Sequence, residues 1–220
     1  MLKHACSRAA TSPMSSRPSR TNVADCAPRD VSPTISLSLR VLMSDTTEYI
    51  EVTDDQDRPL VIMPTNEAGR QRLRRRVVLV ALYDSRGRLC LQRRSPHKLI
   101  HPGCWDLSAT GHVRAGESRD EAALRELSEE LAVTGVRLRH IATLAASQAT
   151  ANTHVTLFEA SGYRGLPIPC TDEVTEVTFT DADELQGLIT HFPDLLTPAL
   201  LWAAQHGHLF PSVTRSDTMS

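Results

Sequence analysis

The chain has 220 residues, 40% of them apolar, and a formal net charge of -2. That suffices for one buried core plus an extension, and gives no overall pull toward nucleic acid or an anionic membrane. No apolar run approaches the roughly 18 residues of a membrane-spanning helix; the five cysteines, Cys6, Cys26, Cys90, Cys104 and Cys170, are scattered and form no C-x-x-C pair, which disfavours a disulfide framework or zinc site and points to a reducing cytoplasm.

Residues 1–43 hold six Lys/Arg against two acids, Asp25 and Asp30, among many Ser, Pro and Ala, with no persistent helical or strand period. An Arg- and Ser-rich, acid-poor stretch also suits a transit peptide, but a secretory signal is disfavoured because no continuous apolar core is present. Composition changes at Met43-Ser-Asp-Thr-Thr, so a disordered tail or a misassigned start is preferred. A folded domain is expected over residues 44–212, followed by a short tail, 213–220.

Within that domain Tyr49-Ile-Glu-Val and Leu60–Met63 read as short strands, and Val77–Tyr83 is a continuous apolar run suited to a buried strand. Asp84-Ser-Arg-Gly87 reads as a turn into Arg88–Gln92. Further strands are expected in Val136–Ala145, His154–Ala160 and Val174–Phe179. Thr197-Pro198 before Ala199–Ala204, with Gly207 beyond, supplies the N-cap, first-turn proline and terminal glycine of a last helix. The basic run Arg70, Arg72, Arg74, Arg75 and Arg76 lacks interleaved aromatics and precedes a buried strand, so solvated or ion-paired arginines are expected there and no nucleic-acid partner.

A helix is expected from about Ser118 to Leu131, because Ser118 and Glu121 form a capping-box pattern ahead of an Ala/Leu-rich stretch. On it Glu126, Glu129 and Glu130 share an arc of about 100°, beside Leu124, Leu127 and Leu131 on a face able to enter a core. Like charges three and four residues apart weaken a bare helix by a few tenths of a kcal/mol. A hard divalent cation would offset that; the plain alternative is a solvated acidic face with surface ion pairs. The segment in front of the helix decides between them.

Gly111-x5-Glu117-x7-Arg125-Glu126-Leu127-x-Glu129-Glu130-x-Ala132-Val133 resembles the Nudix box, with Ala132 in place of the usual glycine. That glycine would tolerate a left-handed helix exit, so the substitution bears on the exit geometry and leaves the charged positions intact. The resemblance covers roughly residues 49–210 and implies an α/β fold: the Nudix α/β/α sandwich, a mixed sheet with the box as a loop-helix-loop. It also implies a hydrolase of phosphoric anhydride bonds. Glu126, Glu129 and Glu130, with the Gly111 carbonyl, would hold Mg2+ or Mn2+. Arg125 would pair with Glu129, Glu117 would fix the loop, and Glu173 is preferred over Glu176 and Glu159 as proton acceptor. The implied substrate is a small-molecule diphosphate, a nucleoside diphosphate or a derivative, and a homodimer is allowed.

Arg93-Arg94-x3-Lys98 and Pro102-Gly103-Cys104-Trp105 before Gly111-His112 are similar to the Nudix branch that includes isopentenyl diphosphate isomerase. This makes Arg94 and Lys98 candidates to hold a diphosphate, with Trp105 as a residue to stack on a base and His112 as a metal ligand, as its counterpart is in the isomerases; core packing for Trp105 and a structural or substrate-contact role for His112 are the preferred readings. The isomerase itself is disfavoured, because its cysteine before Gly-His is here Thr110, while R-E-L-x-E-E is kept. A non-catalytic nucleotide-binding module is the remaining alternative. Specificity is expected in the loops 146–152 and 163–170.

Overall fold

A computed structural model describes residues 47–170 and 172–210. The expected extension, residues 1–43, and tail, 213–220, lie outside the described residues. The described strands are β1 (Tyr49–Thr53), β2 (Pro59–Pro64), β3 (Arg75–Asp84), β4 (Leu89–Arg94), β5 (Trp105–Asp106), β6 (Ala109–His112), β7 (Arg139–Leu144), β8 (Thr153–Tyr163) and β9 (Val174–Thr180). The helices are α1 (Thr65–Arg70), α2 (Arg119–Leu131), α3 (Ala182–His191) and α4 (Pro198–Gln205), with a 3-10 turn at Pro193–Leu195.

β1 and β2 form an antiparallel hairpin; the other seven strands form a mixed sheet in which β3 and β8 run parallel and every other pairing is antiparallel. β3 is the axis because its apolar run is buried on both faces, as a central strand with a parallel neighbour requires. Along its other edge β3 pairs with β6 through Val77–Val80, but touches β4 only at Tyr83↔Leu89. β4 then leaves it to pair with β5 and β9. The sheet therefore splits between β6 and β4, and that split opens the site.

Side-chain alternation along β3 feeds two cores. Val78, Val80 and Leu82 pack with Ala122, Ala123, Leu127 and Leu131 of α2. Leu79, Ala81 and Tyr83 pack on the other face with Leu185 of α3 and Leu200 and Ala203 of α4. This is the expected α/β/α sandwich. Thr197 caps α4, accepting from the Leu200 N–H at 3.3 Å, and Pro198 occupies its first turn. Among the described residues no helix is long and apolar enough to cross a membrane.

Several sequence expectations change. α1, β6 and α3 were not foreseen, and the strand expected over residues 136–145 is shorter and irregular, with its register shifting between His140 and Ala142. Leu124, expected in the core, is 39% exposed; Ala123, four residues before Leu127, takes the inward position instead. The basic run disperses: Arg76 pairs with Glu51 and Asp57, and Arg70 with Glu67.

Candidate active site

The Nudix-like segment is held in place by its own polar side chains. Ser118 accepts from the Glu121 N–H while the Glu121 carboxylate accepts from the Ser118 N–H, closing the capping box that starts α2. Glu117 accepts from the Arg114 N–H at 2.9 Å and from Arg125 Nε at 2.8 Å, so it fixes the loop. At the far end Ala132 adopts φ 53° and ψ 29°, the left-handed exit that the usual glycine would take more cheaply. Residues 163–170 cover this end, with the Ile168 and Cys170 N–H groups donating to the carbonyls of Leu131 and Glu130.

The three box glutamates meet different surroundings. Glu126 and Glu130 are buried, whereas the Glu129 side chain is 47% exposed. One Glu130 oxygen, Oε2, accepts from the Thr110 N–H on β6 and from Gln92 Nε2 on β4, both at 3.0 Å, bridging the split in the sheet. Glu126 lies against Gly111, where a Cβ would displace its carboxyl group. Arg125 binds Glu126 at 2.7 Å and Glu129 at 3.0 Å, and donates to the His112 carbonyl at 2.9 Å.

Burial pushes the Glu126 carboxyl up to about 7 despite Arg125, and burial together with the Glu126 charge pushes Glu130 up to about 8. Glu117 moves the other way: burial opposes its charge, but Arg125 and the Arg114 N–H outweigh that and hold it below the usual carboxylate range. Gln92 Oε1 is buried beside Glu130 without a partner. An all-oxygen donor set with two buried, under-neutralised carboxylates and an orphaned amide oxygen is chemistry that suits a hard divalent cation. Among the described residues, no three His, Cys, Asp or Glu side chains are already gathered as a metal-holding group; Arg125 engages Glu126 and Glu129.

Beside this cluster lies a cavity of about 680 Å³. Its floor is Val77, Leu79 and Val155, its walls include Trp202 and residues 147–151, and Thr110 lines it as well. Its polar edge is Arg94, Asp106 and Thr197: Thr197 donates to Asp106 at 2.6 Å, and Arg94 reaches Asp106 at 3.3 Å and the Ile100 carbonyl at 3.1 Å. Asp106 is buried, which raises its pKa against the pull of Thr197 and Arg94.

The remaining sequence candidates fall as follows. Lys98 and Glu173 pair with each other at 2.8 Å, and Glu173 is close enough to Glu130 to add to the rise in its pKa. Trp105 packs against the α3/α4 core with Arg93 5.9 Å over its ring, and is not among the cavity-lining residues. His112 accepts from Arg75 Nε at 2.9 Å; burial first, then the Arg75 charge, hold it near 4, so its ring is neutral with the proton on Nδ1. Sequence reasoning missed Gln92, Asp106, Thr197 and Arg75. Only Gln92 had a local signal, a polar residue at an inward register of a buried strand.

Residues 73–200 match the family model described as the NUDIX domain. The chain belongs to the Nudix family. Nudix hydrolases cleave pyrophosphate bonds in nucleotide-like substrates and generally need divalent metals, so the enzyme class implied by the box is that of the family. The chain is 45% identical over 92 residues to an uncharacterised Nudix hydrolase of Pseudomonas aeruginosa, a match covering 42% of this chain and 54%, about half, of that protein. It is 28% identical over 160 residues to an uncharacterised Nudix hydrolase of Yersinia pestis, covering 72% and 87% respectively. A Deinococcus radiodurans crystal structure superposes with a TM-score of 0.64 at 26% identity, covering 72% of this chain and 98% of that one.

Proposed function

We propose that this protein is a metal-dependent hydrolase cleaving the diphosphate linkage of a small molecule, a nucleoside diphosphate or a derivative, with residues 44–212 as its catalytic unit. One observation carries the reading: Thr110 donates its N–H to Glu130 and also lines the cavity. The acidic seat and a pocket for an organic group therefore adjoin across a single residue.

In this reading Glu126, Glu129 and Glu130, with the Gly111 carbonyl, hold Mg2+ or Mn2+. When bound, such a cation neutralises the diphosphate and lowers the pKa of the water that attacks phosphorus. Arg125 positions Glu126 and Glu129. Arg94, at the polar edge of the cavity, and Lys98 bind phosphate oxygens, the first bidentately and the second as a point charge. A phosphate that draws Lys98 away frees Glu173 to accept the water proton at Oε2. His112 acts through its bond to Arg75, and Trp105 keeps a packing role.

The likeness to the isopentenyl diphosphate isomerase branch rests on Arg94, Lys98, Pro102, Gly103 and Trp105. Thr110 supplies no thiol, so the hydrolase is favoured over the isomerase. The test is incubation of the protein with Mg2+ or Mn2+ and nucleoside di- and triphosphates, dinucleotides, nucleotide sugars or isopentenyl diphosphate, with products identified by mass spectrometry. Metal-dependent cleavage of one class supports the reading. Isomerisation without cleavage, or binding without turnover, overturns it in favour of the isomerase or the non-catalytic module.

A further inference from the structure

Of the five arginines between residues 70 and 76, Arg70, Arg72 and Arg74 are exposed, and Arg76 is held by Glu51 and Asp57. Arg75 differs from all of them. It is half-buried, and among the described residues no carboxylate lies within ion-pair distance of it. Its Nε donates to His112 and its Nη1 to the Leu73 carbonyl at 3.1 Å. A guanidinium has five N–H groups, so about three remain unused. Among the described residues Nη2 has no partner, and it is not one of the buried atoms lacking one, so it is not sealed off from solvent.

Withdrawing a charge from water without a counter-charge is costly, and among the described residues Arg75 has two neutral acceptors and no acid to offset it. Burial alone lowers its pKa, with no acid acting against that. The position is also informative. Arg75 shares its strand face with Val77 and Leu79, and its rung neighbour on β8 is Thr153; all three of those residues line the cavity. On the other side His112 links it to the acidic cluster, because the same residue's carbonyl holds Arg125. Arg75 is not itself a cavity-lining residue; it is a cation with a free donor next to the lining residues Val77 and Thr153, bonded to the His112 side chain.

We propose that Arg75 is an anion-binding residue of the active site, oriented by His112, whose unused N–H groups receive a phosphate group of the substrate. The identity of that phosphate as part of a hydrolysed diphosphate rests on the function proposed above; the anion site itself does not. Orientation through an imidazole nitrogen that accepts the Nε–H leaves the guanidinium's charge undiminished, whereas a carboxylate partner there would cancel it.

The test uses the full chain and its R75Q and R75K variants, with inorganic pyrophosphate as the calorimetric probe, in EDTA and in Mg2+, alongside KM and kcat on the best substrate. A charge-assisted hydrogen bond lost from a ligand corresponds to about a tenfold to hundredfold weakening. R75Q is therefore expected to weaken pyrophosphate binding and raise KM by that factor, with kcat within about threefold, and R75K to recover part of both. Thermal melting of each variant separates this from misfolding. If R75Q binds pyrophosphate and substrate as the unaltered chain does, the site is refuted while the hydrolase stands. If the unaltered chain turns over nothing yet binds pyrophosphate through Arg75, the hydrolase fails while the site stands.

Discussion

On one face of the central sheet, α2 packs Ala123, Leu127 and Leu131 against β3 and brings Glu126 and Glu130 in beside them. On the opposite face, α4 packs Leu200 and Ala203 but leaves a cavity of about 680 Å³ between Trp202, β3 and the 147–151 loop. The first face is closed, and its charged groups come from 23 consecutive residues, 111–133; the second is open and assembled from segments up to 129 residues apart, Val77 to His206. Chemistry that must hold charge against burial needs a rigid local frame, here Glu117, Arg125 and a capping box. Recognition of an organic group needs only a shaped space, which loops can change without disturbing the frame.

The sharpest way to separate the two faces is to remove charge from the first. E130Q is expected to lower turnover by about a thousandfold or more, since a lost metal ligand forfeits several kcal/mol of transition-state stabilisation. Its melting temperature should hold, because a neutral amide replaces a carboxyl that burial already keeps largely protonated near neutral pH; rates near normal would break the division. Leu127→Ala, a few ångströms away and fully buried, should instead cost about 2–5 kcal/mol of stability by denaturant titration.

The open face should behave differently again. Ala199→Phe narrows the cavity from α4 without approaching the carboxylates, and should raise KM by about tenfold with little change in kcat. An equal loss in kcat would show that the cavity is coupled to the chemistry. The smallest effect is expected at the helix exit. Ala132→Gly relieves a left-handed alanine at φ 53°, and should stabilise the fold by about 0.5–1 kcal/mol in thermal unfolding.

The pH response sharpens the comparison further. Glu126 and Glu130 have folded values raised to about 7 and about 8, so between the ordinary carboxylate range and those values the folded chain binds more protons than the unfolded one. Their contribution to stability is present at low pH and is lost as pH rises through about 7 to 8. The metal-free protein should therefore melt lower at about pH 9 than near neutrality, and Mg2+ or Mn2+ should reverse that loss.

The same contrast explains what the sequence disclosed. The box was legible because its spacing is local and a helix converts spacing into a shared face; β3 was legible from its continuous apolar run. β6 was not, since Ala-Thr-Gly-His is short and nearly polar, yet it supplies Thr110 and Gly111. α3 had a usable signal in Asp181-x-x-Glu184, which forms a capping box. The Asp106–Thr197 pair joins residues 91 apart, and no local pattern carries a contact at that separation. Arg75 was read as one of a run, because charge spacing says nothing about which arginine a strand turns inward.

The central claim is that two buried carboxylates of α2 form a cation seat, and Mn2+ calorimetry near pH 7 in buffers of different ionisation enthalpy tests it directly. The expected result is saturable binding accompanied by proton release, because Glu126 and Glu130 must give up protons to take the metal, with both signals lost in the Glu126→Gln, Glu130→Gln double variant. Binding that releases no proton, or that survives in the double variant, would contradict the account.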